Sequence, residues 1–137
     1  METQKSYRSV FKNISEMENA VGKELGLTPW KIMDQERINT FAKATEDEQW
    51  IHIDEERCTK ESPYKQTIAH GFLMLSMCSK IMYDSYEVGK VSMAINYGLD
   101  KVRFPNPTPA GSKFRGRVSL TEFNFIAKGA KYKLNVI

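Results

Sequence analysis

Cysteine is scarce in this chain of 137 residues, which contains only Cys58 and Cys78. Two cysteines cannot build a disulfide framework, and neither belongs to a Cys-x-x-Cys pair or to a Cys/His cluster with the spacing of a zinc site. The sequence also lacks an apolar run of signal-peptide length near its start and any apolar span of eighteen residues. We therefore predict a reduced, cytoplasmic protein that does not enter a membrane.

A strong charge of one sign is also missing, since 20 Lys/Arg residues face 17 Asp/Glu residues. The basic residues are concentrated late in the chain, where positions 100–137 hold eight Lys/Arg against two Asp/Glu. A basic segment can bind nucleic acid, but the aromatic residues here alternate as core residues do and form no stacking platform. We expect a solvated sheet face, or cations that hold the phosphates of a coenzyme A or acyl-carrier arm, and no nucleic-acid partner.

The apolar content of 41% suits one compact domain at this length. No internal repeat or low-complexity segment divides the sequence, so we predict a single domain over residues 1–137. Apolar spacing predicts an amphipathic helix over residues 9–25, which Gly26 would stop. A short strand at residues 30–33 is followed by Asp34, a good N-cap for a second helix. The apolar stripe of that second helix is Ile38, Phe41 and Ala42.

The later part of the chain contains one strongly apolar helix and several strands. Residues 72–85 are apolar nearly all round, which predicts a helix buried on every side. Residues 113–120 and 132–136 alternate apolar and polar side chains, as half-buried strands do. Residues 92–104 are also predicted as strand, and the proline-rich stretch 105–109 as a connection. The sequence thus predicts an α+β fold in which an antiparallel sheet wraps around a buried helix.

Both histidines of the chain lie in residues 45–71, together with its densest group of acidic residues. A neutral imidazole and a carboxylate that hold one water between them can activate it near neutral pH. Asp47 and His52 are the candidates for such a pair. Their spacing would place them about 140° apart on a continuous helix, so they can converge only if a turn separates them.

The second histidine, His70, precedes Gly71, which opens the apolar helix. Free backbone N–H groups at a helix start can donate to the oxygen of a polarised thioester carbonyl, and glycine lets a ligand approach closely. The residues alone leave other readings open. Asp47 and His52 could be an ordinary surface pair, and His70 could simply bond to the backbone. The remaining alternatives are a metal triad of His52, Asp54 and His70, and a Cys58 nucleophile paired with His52.

A resemblance to a known family joins these features. The segment FAKATEDEQWIHID at residues 41–54 is followed by Ser-Pro-Tyr at 62–64 and by TIAHGFL at 67–73. This series resembles the MaoC-like acyl dehydratases, and among them the NodN-like branch. That family has an aspartate, a histidine five residues later, an aspartate two further on, and a His-Gly pair that opens the central helix. The similarity runs from about Val21 to Arg117.

The resemblance implies a hot-dog fold, a dimer or higher homo-oligomer, and a hydro-lyase that needs no metal or cofactor. Its substrates would be trans-2-enoyl thioesters of coenzyme A or a carrier protein, hydrated to (R)-3-hydroxyacyl thioesters. Carried over by position, Asp47 and His52 would hold and deprotonate the water and return a proton to the α-carbon. The N–H of Gly71 would bind the thioester oxygen, and Ser79 occupies a position where related hydratases often place a serine near the pair.

Two features depart from the family pattern. Glu46 stands where the family usually has glycine, which would strain the backbone if that position needs a positive φ. The sequence also ends within a predicted strand, so we expect the family's last strand to be missing. The main alternatives to a hydratase are a hot-dog thioesterase and a non-catalytic acyl-binding module. A thioesterase would place a carboxylate on or near the apolar helix, which has no acid after Gly71 until Asp84.

Overall fold

A computed structural model describes residues 4–137 of the chain. The strands are β1 (Tyr7–Phe11), β2 (Glu24–Leu27), β3 (Lys31–Met33), β4 (Tyr86–Val88), β5 (Ser112–Phe114), β6 (Arg117–Ile126) and β7 (Gly129–Val136). The helices are α1 (Ile14–Met17), α2 (Gln35–Thr45), α3 (Trp50–Ile53), α4 (Glu55–Glu61), α5 (Gly71–Ser76) and α6 (Cys78–Ser85), with a 3₁₀ turn over Glu18–Ala20. The chain forms two compact units: residues up to 29, 78–98 and 115–137 make the first, and residues 30–77 and 99–114 make the second.

The first unit is built on a five-stranded sheet in the order β4-β1-β2-β6-β7. β4 runs parallel to β1, and the other neighbours are antiparallel. On β6, Val118 and Leu120 are fully buried, while polar neighbours alternate with them, as the sequence predicted. β7 alternates in the same way and lies at one edge of the sheet. β7 is the last strand of the described residues.

Helix α6 packs so closely against this unit that two of its residues contact the backbone of glycines. A Cβ atom on Gly26 of β2 would lie 2.2 Å from the carbonyl oxygen of Ser85, and one on Gly116 would lie 2.2 Å from Ile81 Cγ2. Gly26 therefore serves this close approach and does not stop a helix. The predicted helix over residues 9–25 is wrong, because its first residues pair with β4 and its last residues belong to β2, which pairs with β6, so that only α1 and the 3₁₀ turn are helical.

The second unit joins the two-stranded sheet β3–β5 to helices α2 to α5. Asp34 caps α2 as predicted, since its side chain accepts a hydrogen bond of 2.8 Å from the Arg37 N–H. Ile38 and Ala42 are buried on the predicted stripe. The polar stretch after α2 is structured and contains α3 and α4.

Two other predictions from the apolar pattern are wrong. Residues 72–85 form two helices separated at Met77, and Phe72 and Tyr83 remain 69% and 73% exposed. Burial follows a single stripe with a period of four, not the whole circumference; the buried positions are Leu73, Met77, Ile81 and Ser85. Residues 92–104 form no strand, because they find no hydrogen-bonded strand partner in residues 4–137. The connection at residues 105–109 was predicted correctly.

Candidate active site

Asp47 follows directly on the end of α2. Glu46 ends this helix with φ 61° and ψ 19°, in the left-handed region. A non-glycine residue there costs about 1 kcal/mol, so the expected backbone strain at Glu46 is confirmed. The turn breaks the helix, and residues 47–49 continue outside helix and strand. This turn is what the five-residue spacing of Asp47 and His52 requires.

His52 lies on the short helix α3 and is only 6% exposed. Its Nδ1 is 2.7 Å from the carbonyl oxygen of Ile68. Because a carbonyl oxygen can only accept, Nδ1 carries the hydrogen, and Nε2 keeps its lone pair. The fold therefore sets the tautomer of His52 that can take up a proton at Nε2.

His70 precedes α5 and is 2% exposed. Its Nε2 is 2.9 Å from the backbone carbonyl oxygen of Asp47, to which it must donate. The remaining nitrogen, Nδ1, is the one buried side-chain polar atom of the described residues without a hydrogen-bond partner. The His70 ring stacks on His52, with centroids 3.8 Å apart and planes at 26°, and also contacts Phe41 at 5.0 Å.

These contacts bring a carboxylate and two imidazoles together. One carboxylate oxygen of Asp47 and one ring nitrogen each of His52 and His70 all lie within 4.8 Å of one another. Hydrogen bonds to water are about 2.8 Å long, so one water can bridge two groups at this separation. Asp47 is exposed while both rings are buried, so the cluster lies where solvent meets the interior.

Burial lowers the pKa of His52 below its ordinary value, and the neighbouring His70 acts in the same direction. The hydrogen bond to the Ile68 carbonyl and the charge of Asp47 oppose this shift. The neutral imidazole is therefore favoured at neutral pH. A neutral ring with a free Nε2 is the form that a general base requires.

Gly71 is the first residue of α5, and no side chain caps this helix. Its amide therefore has no acceptor within the helix. A Cβ atom on Gly71 would meet the ring of Phe104 at 2.8 Å, so this aromatic ring rests directly on the glycine. Ser79 belongs to the other unit, on α6, where its side chain is exposed.

Neither of the rival sites predicted from sequence gains support. The side chain of Asp54 is the N-cap of α4 and accepts a hydrogen bond of 2.9 Å from the Arg57 N–H. The carboxylate that lies beside the two histidines is that of Asp47. Cys58 is fully buried, and burial raises the pKa of its thiol, which opposes the thiolate that a nucleophile needs.

Comparison with known proteins identifies the family. The family model for the MaoC like domain matches residues 16–136. This chain belongs to the MaoC-like dehydratase family. The 3-hydroxyacyl-thioester dehydratase Z of Mycobacterium tuberculosis is 42% identical over 119 residues, which make up 87% of this chain and 78% of that protein. Nodulation protein N of Rhizobium leguminosarum bv. viciae is 43% identical over 114 residues, 82% of this chain and 71% of that protein.

Solved structures of MaoC-like proteins agree in fold. The unliganded R-hydratase PhaJ1 from Pseudomonas aeruginosa superposes with a TM-score of 0.63 at 19% identity, covering 92% of this chain and 83% of that one. The predicted hot-dog fold of the α+β class is thus confirmed. No helix within residues 4–137 is both long and apolar enough to cross a lipid bilayer.

Sequence reasoning missed two features of this MaoC-like site. It left His70 as a residue that could simply bond to the backbone, without naming the acceptor, which is the carbonyl of Asp47 itself. It also gave no role to Phe104, whose ring rests on Gly71. The first could have been suspected because the chain has only two histidines and both lie close to Asp47 in sequence. No signal in the sequence points to the second.

Proposed function

We propose that this protein catalyses the reversible hydration of trans-2-enoyl thioesters, carried by coenzyme A or a carrier protein, to (R)-3-hydroxyacyl thioesters. The observation that carries the proposal is the convergence of the Asp47 carboxylate with the His52 ring, whose Nδ1–H is held by Ile68 so that Nε2 is free. The names of the dehydratase and hydratase relatives support the same reaction class.

In the proposed mechanism, Asp47 and His52 hold one water beside the β-carbon of the substrate. His52 Nε2 takes a proton from this water as the oxygen forms its bond to the β-carbon. The electron pair of the double bond moves toward the thioester, where the enolate-like oxygen develops. The proton on His52 then passes to the α-carbon, which restores the neutral ring and completes the addition. Asp47 orients the water and stabilises the imidazolium that forms between these steps.

The amide of Gly71 is the proposed donor to the thioester oxygen. Its position at the start of α5 leaves the N–H without a helical acceptor. Removing one donor of this kind typically costs about 10²-fold or more in rate. The Phe104 ring against Gly71 is about half exposed, so it can turn aside when a thioester binds. We retain Ser79 as a proposed substrate contact on the family resemblance alone.

The reaction needs no cofactor in this proposal, because addition of water moves protons and one electron pair without any net oxidation. A thioesterase is less well supported by the structure. It would need a carboxylate near the thioester carbon, and Asp84 on α6 instead forms an ion pair of 2.6 Å with Lys80. The acyl-binding module differs from the hydratase only in its lack of turnover, so an assay separates them.

We also propose that residues 1–137 act as one MaoC-like domain in a cytoplasmic homodimer. Residues 91–97, which we call the 91–97 segment, are all exposed, and their large apolar side chains fall on alternate positions: Met93 is 70%, Ile95 78% and Tyr97 82% exposed. An extended stretch with one apolar face and no strand partner is a ready template for pairing with another chain. A second copy of this chain supplies an identical stretch, as an isologous interface requires.

The test is hydration of crotonyl-CoA, followed as loss of the enoyl absorbance, with chiral analysis of the product. We expect turnover by the wild-type protein and a loss of at least about 10²-fold in Asp47→Asn and in His52→Ala. The matched control is Glu48→Gln, which removes the same charge from the neighbouring exposed carboxylate and should keep full activity. Release of free coenzyme A would indicate a thioesterase, and binding without turnover over a series of chain lengths would indicate a binding module.

A further inference from the structure

The loop that carries Asp47 and His52 is fixed by hydrogen bonds to the stretch before α5. The Ile68 N–H donates to the Ile51 carbonyl at 3.1 Å, and the Ile68 carbonyl accepts from His52 Nδ1. The third of these bonds joins His70 Nε2 to the carbonyl of Asp47. The first two act on the His52 end of the loop, and only the third acts on Asp47.

Asp47 lies on the short connection between two helices. Residues 46–49 lie between α2 and α3 and belong to neither helix nor strand. Glu46 holds a left-handed conformation that a non-glycine residue does not favour, so relaxation of this turn would move the next residue. A hydrogen bond to the Asp47 carbonyl therefore sets where its carboxylate stands relative to His52.

His70 acts on the other member of the pair through its ring face. The stacking of His70 on His52 at 3.8 Å covers one face of that ring, and Phe41 packs against His70 in turn. The Ile68 hydrogen bond alone would let the His52 ring pivot about Nδ1, and the stacked face opposes this pivoting. The two contacts of His70 thus reach the two groups that would hold the water.

We propose that His70 is a positioning residue, which holds Asp47 through its Nε2–H and the His52 ring through its face. It is not a catalytic residue, because its Nε2 is committed to a backbone carbonyl. Its Nδ1 is buried without a partner within residues 4–137, an arrangement that packing alone would not favour over an apolar side chain. The kinetic consequence of the proposal rests on the proposed hydratase activity, whereas its structural consequence does not.

Two substitutions separate the two contacts. His70→Gln can keep an amide N–H near the position of Nε2 but removes the ring, whereas His70→Phe keeps an aromatic face and removes the donor. We expect His70→Phe to lower kcat about 10²-fold, the size of effect that small displacements of reacting groups produce, with KM changed less than about threefold. We expect His70→Gln to recover most of that loss. Thermal unfolding of each variant gives the folded fraction used in the comparison.

Two kinetic results would contradict the proposal. A His70→Phe variant with wild-type kcat would overturn the proposal, as would a His70→Gln variant that loses as much as His70→Phe at equal folded fraction. A residue needed only for packing would instead lower the stability of both variants while kcat per folded molecule stayed the same.

A spectroscopic test keeps the proposal separate from the proposed function. The chain has only two histidines, so ¹⁵N NMR of the rings shows both of them without interference from others. We expect the Nδ1–H tautomer for His52 and the Nε2–H tautomer for His70. Because the Ile68 carbonyl, and not the stacked face, holds the Nδ1–H of His52, we expect His52 to keep its tautomer in both His70→Gln and His70→Phe. A wild-type His70 in the Nδ1–H form would overturn the proposal even if the protein proved inactive.

Discussion

The loop around Asp47 and His52 contrasts with residues 91–97 in how each is held. The loop has little apolar patterning, yet side chains and backbone fix it at several points, among them His52 to Ile68 and His70 to Asp47. The 91–97 segment has the alternation of a strand, yet none of its residues joins a sheet. Whether a segment is held in place here depends on the hydrogen-bonding partners that the fold brings to it. The regularity of its apolar pattern is a poor guide.

Disrupting the apolar face of the 91–97 segment should have the largest effect. If this face pairs with a second copy, Tyr97→Lys or Ile95→Lys should convert the dimer to monomer, because burying an unpaired charge in an interface is costly. Light scattering coupled to size exclusion measures the change. The control is Tyr64→Lys, an exposed aromatic residue of the other unit, which should leave the assembly intact. A wild-type protein that is already monomeric would refute the role given to this segment.

Removing the link between α2 and the loop should have the next largest effect. The Gln35 side chain donates a hydrogen bond of 2.7 Å to the His52 carbonyl and accepts a hydrogen bond from the buried Thr67 hydroxyl. Gln35→Leu leaves both partners unpaired, so we expect the free energy of unfolding to fall by about 2 kcal/mol. Denaturant unfolding measures this loss.

Thr40→Ala is the control on the same helix, because the exposed Thr40 hydroxyl donates to the Glu36 carbonyl of its own helix. It should change the unfolding free energy by less than about 0.5 kcal/mol. Equal losses in the two variants would mean that the loop does not depend on Gln35.

Relieving the turn at Glu46 should stabilise the protein by a smaller amount. Glycine adopts positive φ without the Cβ penalty, so we expect Glu46→Gly to raise the unfolding free energy by about 1 kcal/mol. Glu46→Ala removes the same charge and keeps the Cβ, so it should give no such gain. If alanine stabilised as much as glycine, the charge and not the backbone would be responsible.

The pH dependence should follow the lowered pKa of His52. In the unfolded chain His52 takes up a proton near pH 6.5, whereas the folded protein resists it to lower pH. The contribution of His52 to stability is therefore full above about pH 6.5 and decreases as the pH falls through the lowered pKa. The difference in unfolding free energy between wild type and His52→Gln, measured from pH 8 to pH 5, isolates this effect, and hydration activity should fall over the same acidic range.

The sequence predicted the parts of the structure that depend on near neighbours. The Asp34 cap, the stripe of α2 and the alternation on β6 and β7 all arise from contacts within one element or one pair of strands. The helix predicted over residues 9–25 failed because its apolar spacing fits both helix and strand, and the pairing of β1 with β4 and of β2 with β6 decided between them. Such pairing joins positions far apart in sequence.

The candidate site, too, was predicted only in part from the sequence. Asp47 and His52 were identified from their residue types and spacing together with a family resemblance, and the structure places them within reach of one water. The acceptors that fix the two ring tautomers are backbone carbonyls, which every residue carries, so nothing in the residue types marks Ile68 or the carbonyl of Asp47. The tautomers of the two histidines therefore could not be predicted from the residue types alone.

The two glycines beneath α6 limit how this protein can be redesigned. Backbone oxygen of Ser85 and the side chain of Ile81 occupy the places where side chains at 26 and 116 would begin. A saturation library at either position should return almost no folded variants, alanine included, although neither residue lies near Asp47 or His52 in sequence. Any redesign of this helix would have to leave both positions untouched and vary its exposed side instead.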